Sequence, residues 1–426
     1  MSPRNSVCTG QRTPTLPQEL CEAVIDFAWE YSSTLKTCSL VSRAWLPTSR
    51  MHKFSFVRFG EHREIISFQA IVSSPMLNSN RIPHLVRDLC LGKEEEEEIV
   101  GSRPTVLDDA ELLSLLEKFT SVQTLRLENV CWSLYTILPA ASDAVTVIAS
   151  QVACLHLHWA NTDDSVDLIH ILSSSPRRSS VYFTGYTPQD SKLPWDRLEL
   201  RKPINPTISI GRMVAHWDSY IRFYSAMLKT YAFRWPFAAT IERLTLTEDP
   251  LGYPLHDVER DFRDLEDELL YTESQISVLR SGSRSREDDK GFTATTLNIR
   301  SIEISAPTIL QSRTVFSESL TQLLYCRTLL APCIRFVLDG SKPANAVPRQ
   351  CAGLDHVLAG LAAEDPEMEI SFDVQCTPER LADWIAAISA CFPTLIVCGT
   401  RVEMVCSTTR NCPKGDRRPV AEHRWS

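Results

Sequence analysis

Glycine is scarce in this chain, with 14 residues in 426. Backbone that must close around phosphate groups leans on glycine. No glycine-rich loop runs into Lys-Ser or Lys-Thr, and neither a G-x-S-x-G elbow nor an H-E-x-x-H pair occurs. Nucleotide-loop, serine-hydrolase and zincin chemistry therefore have no motif to rest on. The 14 cysteines include no Cys-x-x-Cys pair, the spacing that zinc ribbons and dithiol oxidoreductases need. No stretch approaches the roughly 18 uninterrupted apolar residues of a membrane span. Positive charge is also lacking: Lys and Arg number 44 against 53 Asp and Glu, for a net charge of -9. Bulk attraction to nucleic acid is not expected of such a chain.

The opening MSPRNSVCTGQRTPT holds no apolar core, so no secretory signal is expected and the chain is read as intracellular, cytoplasmic and/or nuclear. Thiols stay reduced there. Cys90, Cys154 and Cys398 lie inside apolar runs and are expected to pack as small buried hydrophobes.

The features that are present fall into two parts. Residues 1–14 are polar, with Pro3, Gly10 and Pro14, and read as a disordered tail. From Thr15 the pattern turns helical. Thr15 is a candidate cap, Glu19 and Glu22 suit a first turn, and Leu20, Val24, Ile25 and Ala28 recur at helical spacing. A second helix is expected from about Ser33, through Leu35, Cys38, Val41 and Trp45, ended by Pro47.

Beyond residue 80 a short pattern, apolar-x-x-apolar-x-apolar, keeps returning. Copies begin at Val86, Val122, Val152, Trp195, Ile241 and Ile299, with weaker ones at Cys333 and Phe392. The alternation within each copy predicts a strand with one face buried. Helices are expected between them at 109–119, 318–330 and 378–391, the last with Thr377 as cap and Pro378 in the first helical position. Strands alternating with helices at irregular spacing predict an α/β fold: a small N-terminal helical unit at 15–60, then an irregular leucine-rich-repeat-like solenoid of parallel strands and helices at 61–410. The Asn that closes a strict repeat is mostly missing, although Asn129 and Asn161 lie near its place. An ordinary α/β domain is the competing architecture.

Three insertions and a tail complete the layout. Lys93–Glu98 is an acidic loop, Leu255–Leu279 a long amphipathic helix, Ser281–Gly291 a flexible loop, and 411–426 a weakly basic C-terminal tail. His156-x-His158 offers two imidazoles on one strand face, but no cysteine or acid is spaced to complete a metal site. Cys398, Cys406, Cys412 and His423 form only a loose cluster, and the pairs Asp163-Asp164 and Asp288-Asp289 read as loop residues. No nucleophile, base and oxyanion donor stand together, so the chain is expected to be no enzyme and to need neither cofactor nor metal.

Leu16-Pro17-x-Glu19-Leu20, then Ile25, then Cys38-Ser-Leu40-Val41-Ser-Arg43-x-Trp45 resembles the F-box motif over roughly Leu16–Phe59. The block Cys38–Pro47, the following Arg50–Phe54, Ser73-Ser74-Pro75 and Val86–Leu91 are similar to the large F-box family of mushroom-forming fungi. Phe27–Ser33 departs from that family, being aromatic and free of proline. The resemblance implies a unit that docks on a Skp-family adaptor, and through it on a cullin, while the repeats hold a protein substrate. It implies adaptor contact or internal core at Leu16, Pro17, Leu20, Ile25, Leu40, Val41 and Trp45, with Leu16 and Pro17 the leading contacts. Outward strand positions Arg126, Glu128, His156, His158, Glu199, Thr245 and Glu303 are the substrate-binding candidates. The expected function is thus substrate recognition in a cullin-RING (SCF-type) ubiquitin ligase, with neither nucleic acid nor membrane as partner. The alternative is an interaction scaffold with an F-box-like fold and no ligase recruitment.

Overall fold

A computed structural model describes residues 17–28, 31–74, 81–93, 106–132, 139–158, 161–162, 165–184, 187–188, 203–216, 237–247, 296–305, 331–340, 352–398, 401–407 and 419–425, with single positions or pairs at 219–220, 223–224, 226–227, 235 and 324. The tail at 1–14, Leu16, all of the acidic loop but Lys93, the strand at Trp195 with Glu199, the long helix at 255–279, the loop at 281–291 and all but Leu324 of the helix at 318–330 lie outside the described residues.

Three ten-residue helices open the described chain: α1 (Gln18–Phe27), α2 (Ser32–Val41) and α3 (Leu46–Ser55). The cap of α1 is Pro17, whose carbonyl accepts from Leu20 and Cys21. Pro47 does not end the second helix: α2 stops at Val41, Ser42 is extended, and Pro47 lies in the first turn of α3, where its missing N–H costs nothing. Ile25, Leu35 and Cys38 form a small core with Trp45 packed against it, separate from the main core.

The rest is mixed α/β around a 13-stranded, mostly parallel sheet. Strands β1 (Phe56–Phe59), β2 (Asp88–Gly92) and β3 (Thr124–Glu128) come first. Two-residue strands β4 (Cys131–Trp132), β6 (Asn161–Thr162) and β8 (Thr187–Pro188) form a side ladder of their own. They follow β3, β5 (Cys154–His158) and β7 (Arg177–Thr184) respectively. Next are β9 (Thr207–His216), β10 (Ala238–Thr247), β11 (Thr296–Ile299), β12 (Ser301–Ser305) and β13 (Cys333–Leu338). Then β14 (Glu369–Val374), β15 (Arg401–Ser407) and β16 (Pro419–Trp425) finish the sheet. Neighbours in the sheet follow chain order, and only the β15–β16 pair is antiparallel. Parallel neighbours need a crossover. Helices α4 (His62–Val72), α5 (Ala110–Leu116), α6 (Pro139–Gln151), α7 (Ser165–Ser173) and α8 (Ala352–Glu364) supply some of these. The 3-10 turn Pro378–Arg380 leads into α9 (Leu381–Cys391) and then α10 (Pro393–Val397).

Register explains the recurring pattern. One buried ladder runs Val57, Leu89, Leu125, Leu155, Val181, Met213, Leu244, Ile302, Ile334, Ile370 and Val402. A second runs two residues further on, from Phe59 through Leu91, Leu127, Leu157 and Phe183 to Met404. Both ladders and the inward faces of the helices belong to one core. Phe59 packs edge-on against Phe68 of α4 and stacks on Phe119.

Several expectations need correction. The Phe392 copy is not a strand but the helix α10, because Pro393 starts a helical turn and Asp355 caps it. The Cys333 copy is a strand, but its repeat positions are Ile334 and Phe336, opposite Ile302 and Ile304. Thr377 makes no side-chain cap on the turn that follows it. Cys398 is exposed rather than buried. The C-terminal segment is not merely a tail: Pro419–Trp425 adds the antiparallel edge strand β16, with Trp425 donating to Ser389 Oγ at 3.0 Å. Asn129 does close a turn. It takes a left-handed conformation (φ 49°), and its side chain donates to the Lys93 carbonyl at 2.7 Å. Among the described residues no helix is long and apolar enough to cross a membrane.

Candidate functional site

Two surfaces stand out, and the first is on the N-terminal helices. In α1, Cys21, Ile25 and Ala28 turn inward at helical spacing, while Leu20, Val24 and Phe27 form a second apolar stripe beside them. A core this small covers only one stripe. Leu20 and Val24 are left half exposed and Phe27 is 85% exposed. On α2, Leu35 and Cys38 turn inward while Leu40 and Val41 are 81% and 60% exposed. Of the twelve large hydrophobic residues exposed among the described residues, seven belong to this unit: Leu20, Val24, Phe27, Tyr31, Leu40, Val41 and Met51. His52 of α3 bonds to Asp26 of α1 at 2.6 Å, tying the helices across their polar side. The seven residues named from the F-box resemblance thus divide. Pro17, Leu20, Leu40 and Val41 face outward, Ile25 is fully buried and Trp45 packs on its cluster. Of the two alternatives, Ile25 therefore takes the internal-core one. Leu16 lies outside the described residues.

The second surface is the sheet face opposite the helices. Its middle row runs Arg58, Cys90, Arg126, His156, Tyr182, Val214, Thr245, Glu303, Arg335, Ser371, Glu403 and Arg424 in register. Neighbours in adjacent rows neutralise one another. Arg58 donates to Glu128 at 2.8 Å, and Arg126 forks onto both oxygens of Asp88 at 2.8 to 3.1 Å. Cys90 lies buried beneath these pairs, and burial first, then the charge of Glu128, pushes its thiol up to about 12. It is inert as a nucleophile.

His156 stacks face to face on Tyr182, with ring centres 4.3 Å apart, and its Nε2 lies 3.3 Å from Cys154 Sγ. Burial, reinforced by the positive charge of Arg126, depresses its imidazole to about 4. His158 Nδ1 meets Thr184 Oγ1 at 2.5 Å. Both histidines are thus engaged in contacts along the sheet. Of the other candidates, Arg126 and Glu128 lie in the ion pairs above, and Glu303 is half-buried beside Arg335. Thr245 points to the predicted side but is only 4% exposed, the most covered of these candidates. Glu199 lies outside the described residues. Sequence reasoning missed Arg58, Asp88, Tyr182, Thr184, Arg212, Arg243 and Arg335 on this face. Alternation along each strand was the signal that would have found them.

Among the described residues one grouping has metal-ligand geometry, and it is not the His156/His158 pair. His62, Asp109 and Glu111 bring three ligand atoms within 4.8 Å of one another. Asp109 already caps α5 by accepting from Glu111 N at 2.8 Å, and its other oxygen meets His62 Nδ1. That bond and the charge of Asp109 raise the His62 pKa, so the pair reads as a histidine–carboxylate contact at a helix start. Sequence positions 62, 109 and 111 carry no metal-motif spacing.

No family model matches this chain, and no curated protein matches it either.

Proposed function

We propose that this chain is a non-catalytic substrate receptor of a cullin-RING (SCF-type) ubiquitin ligase. The N-terminal helices dock on a Skp-family adaptor, and the repeat sheet presents its outward face to a protein target. One observation carries this reading. Apolar exposure is concentrated on α1 and α2, which carry Glu19-Leu20 of the first motif block and Leu40-Val41 of the second. A unit of this size is below what sustains an independent core, and its second apolar stripe has the character of an interface rather than a solvated surface. Leu20, Val24, Phe27, Leu40 and Val41 would supply the contact, with Pro17 leading into it.

The leucine-rich-repeat-like description of the sheet is part of the same proposal. It is supported by chain-order pairing, by the two buried ladders and by Asn129 in its turn. A stack of such units leaves one long polar face free, which suits protein recognition. Tethering raises the effective concentration of target beside the transferring enzyme, so the receptor itself needs no catalytic group.

The test is co-purification with a Skp-family adaptor, using wild type and Leu40→Asp/Val41→Asp. Both positions are exposed, so the variant keeps its fold. Capture of the wild type alone supports the proposal. A folded wild type that captures no adaptor refutes ligase recruitment and leaves a scaffold role.

A further inference from the structure

Strands β9 and β10 are ten residues each and run side by side. Their register sets Arg212 directly opposite Arg243, and both are exposed on the face away from the core. Paired strands lie about 4.8 Å apart, and like charges at facing positions destabilise a sheet. Elsewhere on this face four arginines are answered by acids: Arg58 by Glu128, Arg126 by Asp88, Arg401 by Glu369 and Arg424 by Glu403, and Arg335 stands opposite Glu303 in register. The acid next to Arg243, Glu242, is taken by Arg300 at 2.9 Å. Among the described residues Arg212 and Arg243 have no ion-pair partner.

A second observation lies on the same face of the same two strands. Thr245 is 4% exposed and His216 is 9% exposed, yet neither Thr245 Oγ1 nor His216 Nδ1 has a hydrogen-bond partner. Buried polar atoms are nearly always paired, so two orphans together mark a place where a polar ligand belongs. Thr245 follows Arg243 by two residues, and His216 follows Arg212 by four. Two residues along a strand span about 6.6 Å, so Thr245 is within the reach of the Arg243 side chain, and His216, paired with Thr247, lies two positions beyond Thr245. All four groups can donate: two guanidinium forks, a hydroxyl and an imidazole N–H. What complements them is a compact dianion with several acceptor oxygens, and arginine forks fit phosphate oxygens two at a time.

We propose that the outward side of β9 and β10 is a phosphate-binding site. Arg212 and Arg243 hold a phosphate monoester, and Thr245 and His216 donate to its oxygens. The phosphate belongs either to a phosphorylated side chain of a bound protein or to a free phosphate compound. The site stands on these two strands and does not depend on adaptor docking.

Calorimetric titration of the full chain tests it. The probes are inorganic phosphate, a short phosphoserine peptide and the same peptide with serine or glutamate, all against sodium chloride at matched ionic strength. The phosphoserine peptide and phosphate should bind where chloride does not. Arg212→Ala and Arg243→Ala should each weaken binding about tenfold, and Thr245→Val less. The variants Arg212→Lys and Arg243→Lys keep the charge without the fork; they should fold as wild type and bind at intermediate strength. Tighter binding of the phosphopeptide than of inorganic phosphate identifies a protein-borne phosphate, and equal binding a free compound. Phosphate indistinguishable from chloride, arginine variants with wild-type affinity, or a glutamate peptide equal to the phosphopeptide would each overturn the proposal.

Discussion

One ring, His156, should make mild acid weaken this fold. The imidazole sits against Tyr182 and near Arg126, where burial and that positive charge lower its pKa from 6.5 to about 4. The unfolded chain takes up a proton near 6.5 and the folded chain does not. Stability is therefore complete above about 6.5, falls as the pH drops, and stops falling below about 4. At ~1.36 kcal/mol per tenfold, the full difference is bounded at about 3 kcal/mol. The ring is only half-buried, so solvent screening reduces the expected loss to about 1–2 kcal/mol. His62 has the opposite sign. Its pKa is raised by Asp109, so its contribution is present below 6.5 and fades as the pH rises. The assay is urea denaturation between pH 4.5 and 7.5 for wild type, His156→Phe and His62→Ala. Phenylalanine keeps the stack on Tyr182 without titrating, so carboxylates elsewhere cancel in the comparison. Wild type should lose stability relative to His156→Phe as the pH falls. Parallel curves for the two proteins would refute the reasoning.

Three substitutions probe the framework. Asp355 is buried, and its two oxygens accept from Thr394 N and Leu395 N at 3.0 and 2.8 Å. Asp355→Ala strands both N–H groups and should cost about 3 kcal/mol in chemical denaturation, with Asp355→Asn costing about half of that. Gly92 has φ 116°, and a Cβ there would lie 1.7 Å from the Glu128 carbonyl oxygen. Gly92→Ala should cost about 3 kcal/mol or prevent soluble expression, with Gly360→Ala, which meets nothing within 4 Å, as the neutral control. Arg178 is buried and donates to the carbonyls of Val152 and Ile171 and to Ser174 Oγ at 2.8 to 3.3 Å. Arg178→Ala leaves these acceptors unpaired around a cavity and should cost about 2–4 kcal/mol, read from the shift in the urea midpoint.

Arg178 also shows why the sequence pattern was legible in some places and not in others. The copies at Val86, Val122, Val152, Ile241 and Ile299 open on an apolar residue that sits under the sheet edge of the core. In β7 that opening position is Arg178, opposite Ile210 in register. An arginine there breaks the apolar pattern, and only the structure reveals that helix-end carbonyls satisfy its donors. Burial lowers its own pKa to about 10 without removing the charge at neutral pH. In β9 the copy Ile210-x-x-Met213-x-Ala215 was hidden by its small last residue. A one-sided reading also misled at the C-terminus. Pro419–Trp425 alternates Val, Glu and Arg weakly, and its strand character comes from pairing with β15 rather than from local pattern. The N-terminal unit was legible as helices from spacing alone. Which apolar residues face inward was not, because two adjacent stripes on α1 look alike in sequence until a partner helix selects one.

The junction between the two surfaces bears on what the molecule can do. Helix α3 ends at Ser55 and β1 begins at Phe56, so no linker separates the N-terminal unit from the sheet. The Ser55 carbonyl also accepts from Arg87 N at 2.8 Å, which anchors the joint to the residue before β2. Phe54 of α3 packs edge-on against Phe68 of α4, adding an apolar contact across the same joint. A hinge needs a few residues free to change φ and ψ, and this joint offers none among the described residues. The exposed stripe of α1 and α2 is therefore held at a fixed angle to the polar face. For a receptor of the proposed kind, that rigidity would determine which target side chains lie within reach of a transferring enzyme. Inserting Gly-Ser-Gly-Ser between Ser55 and Phe56 should leave adaptor capture intact, since the α1–α2 stripe is untouched. It should also leave target capture intact while lowering the rate and blurring the sites of ubiquitin transfer, read by mass spectrometry of the modified target. Unchanged site selection would show that the fixed joint plays no part in function.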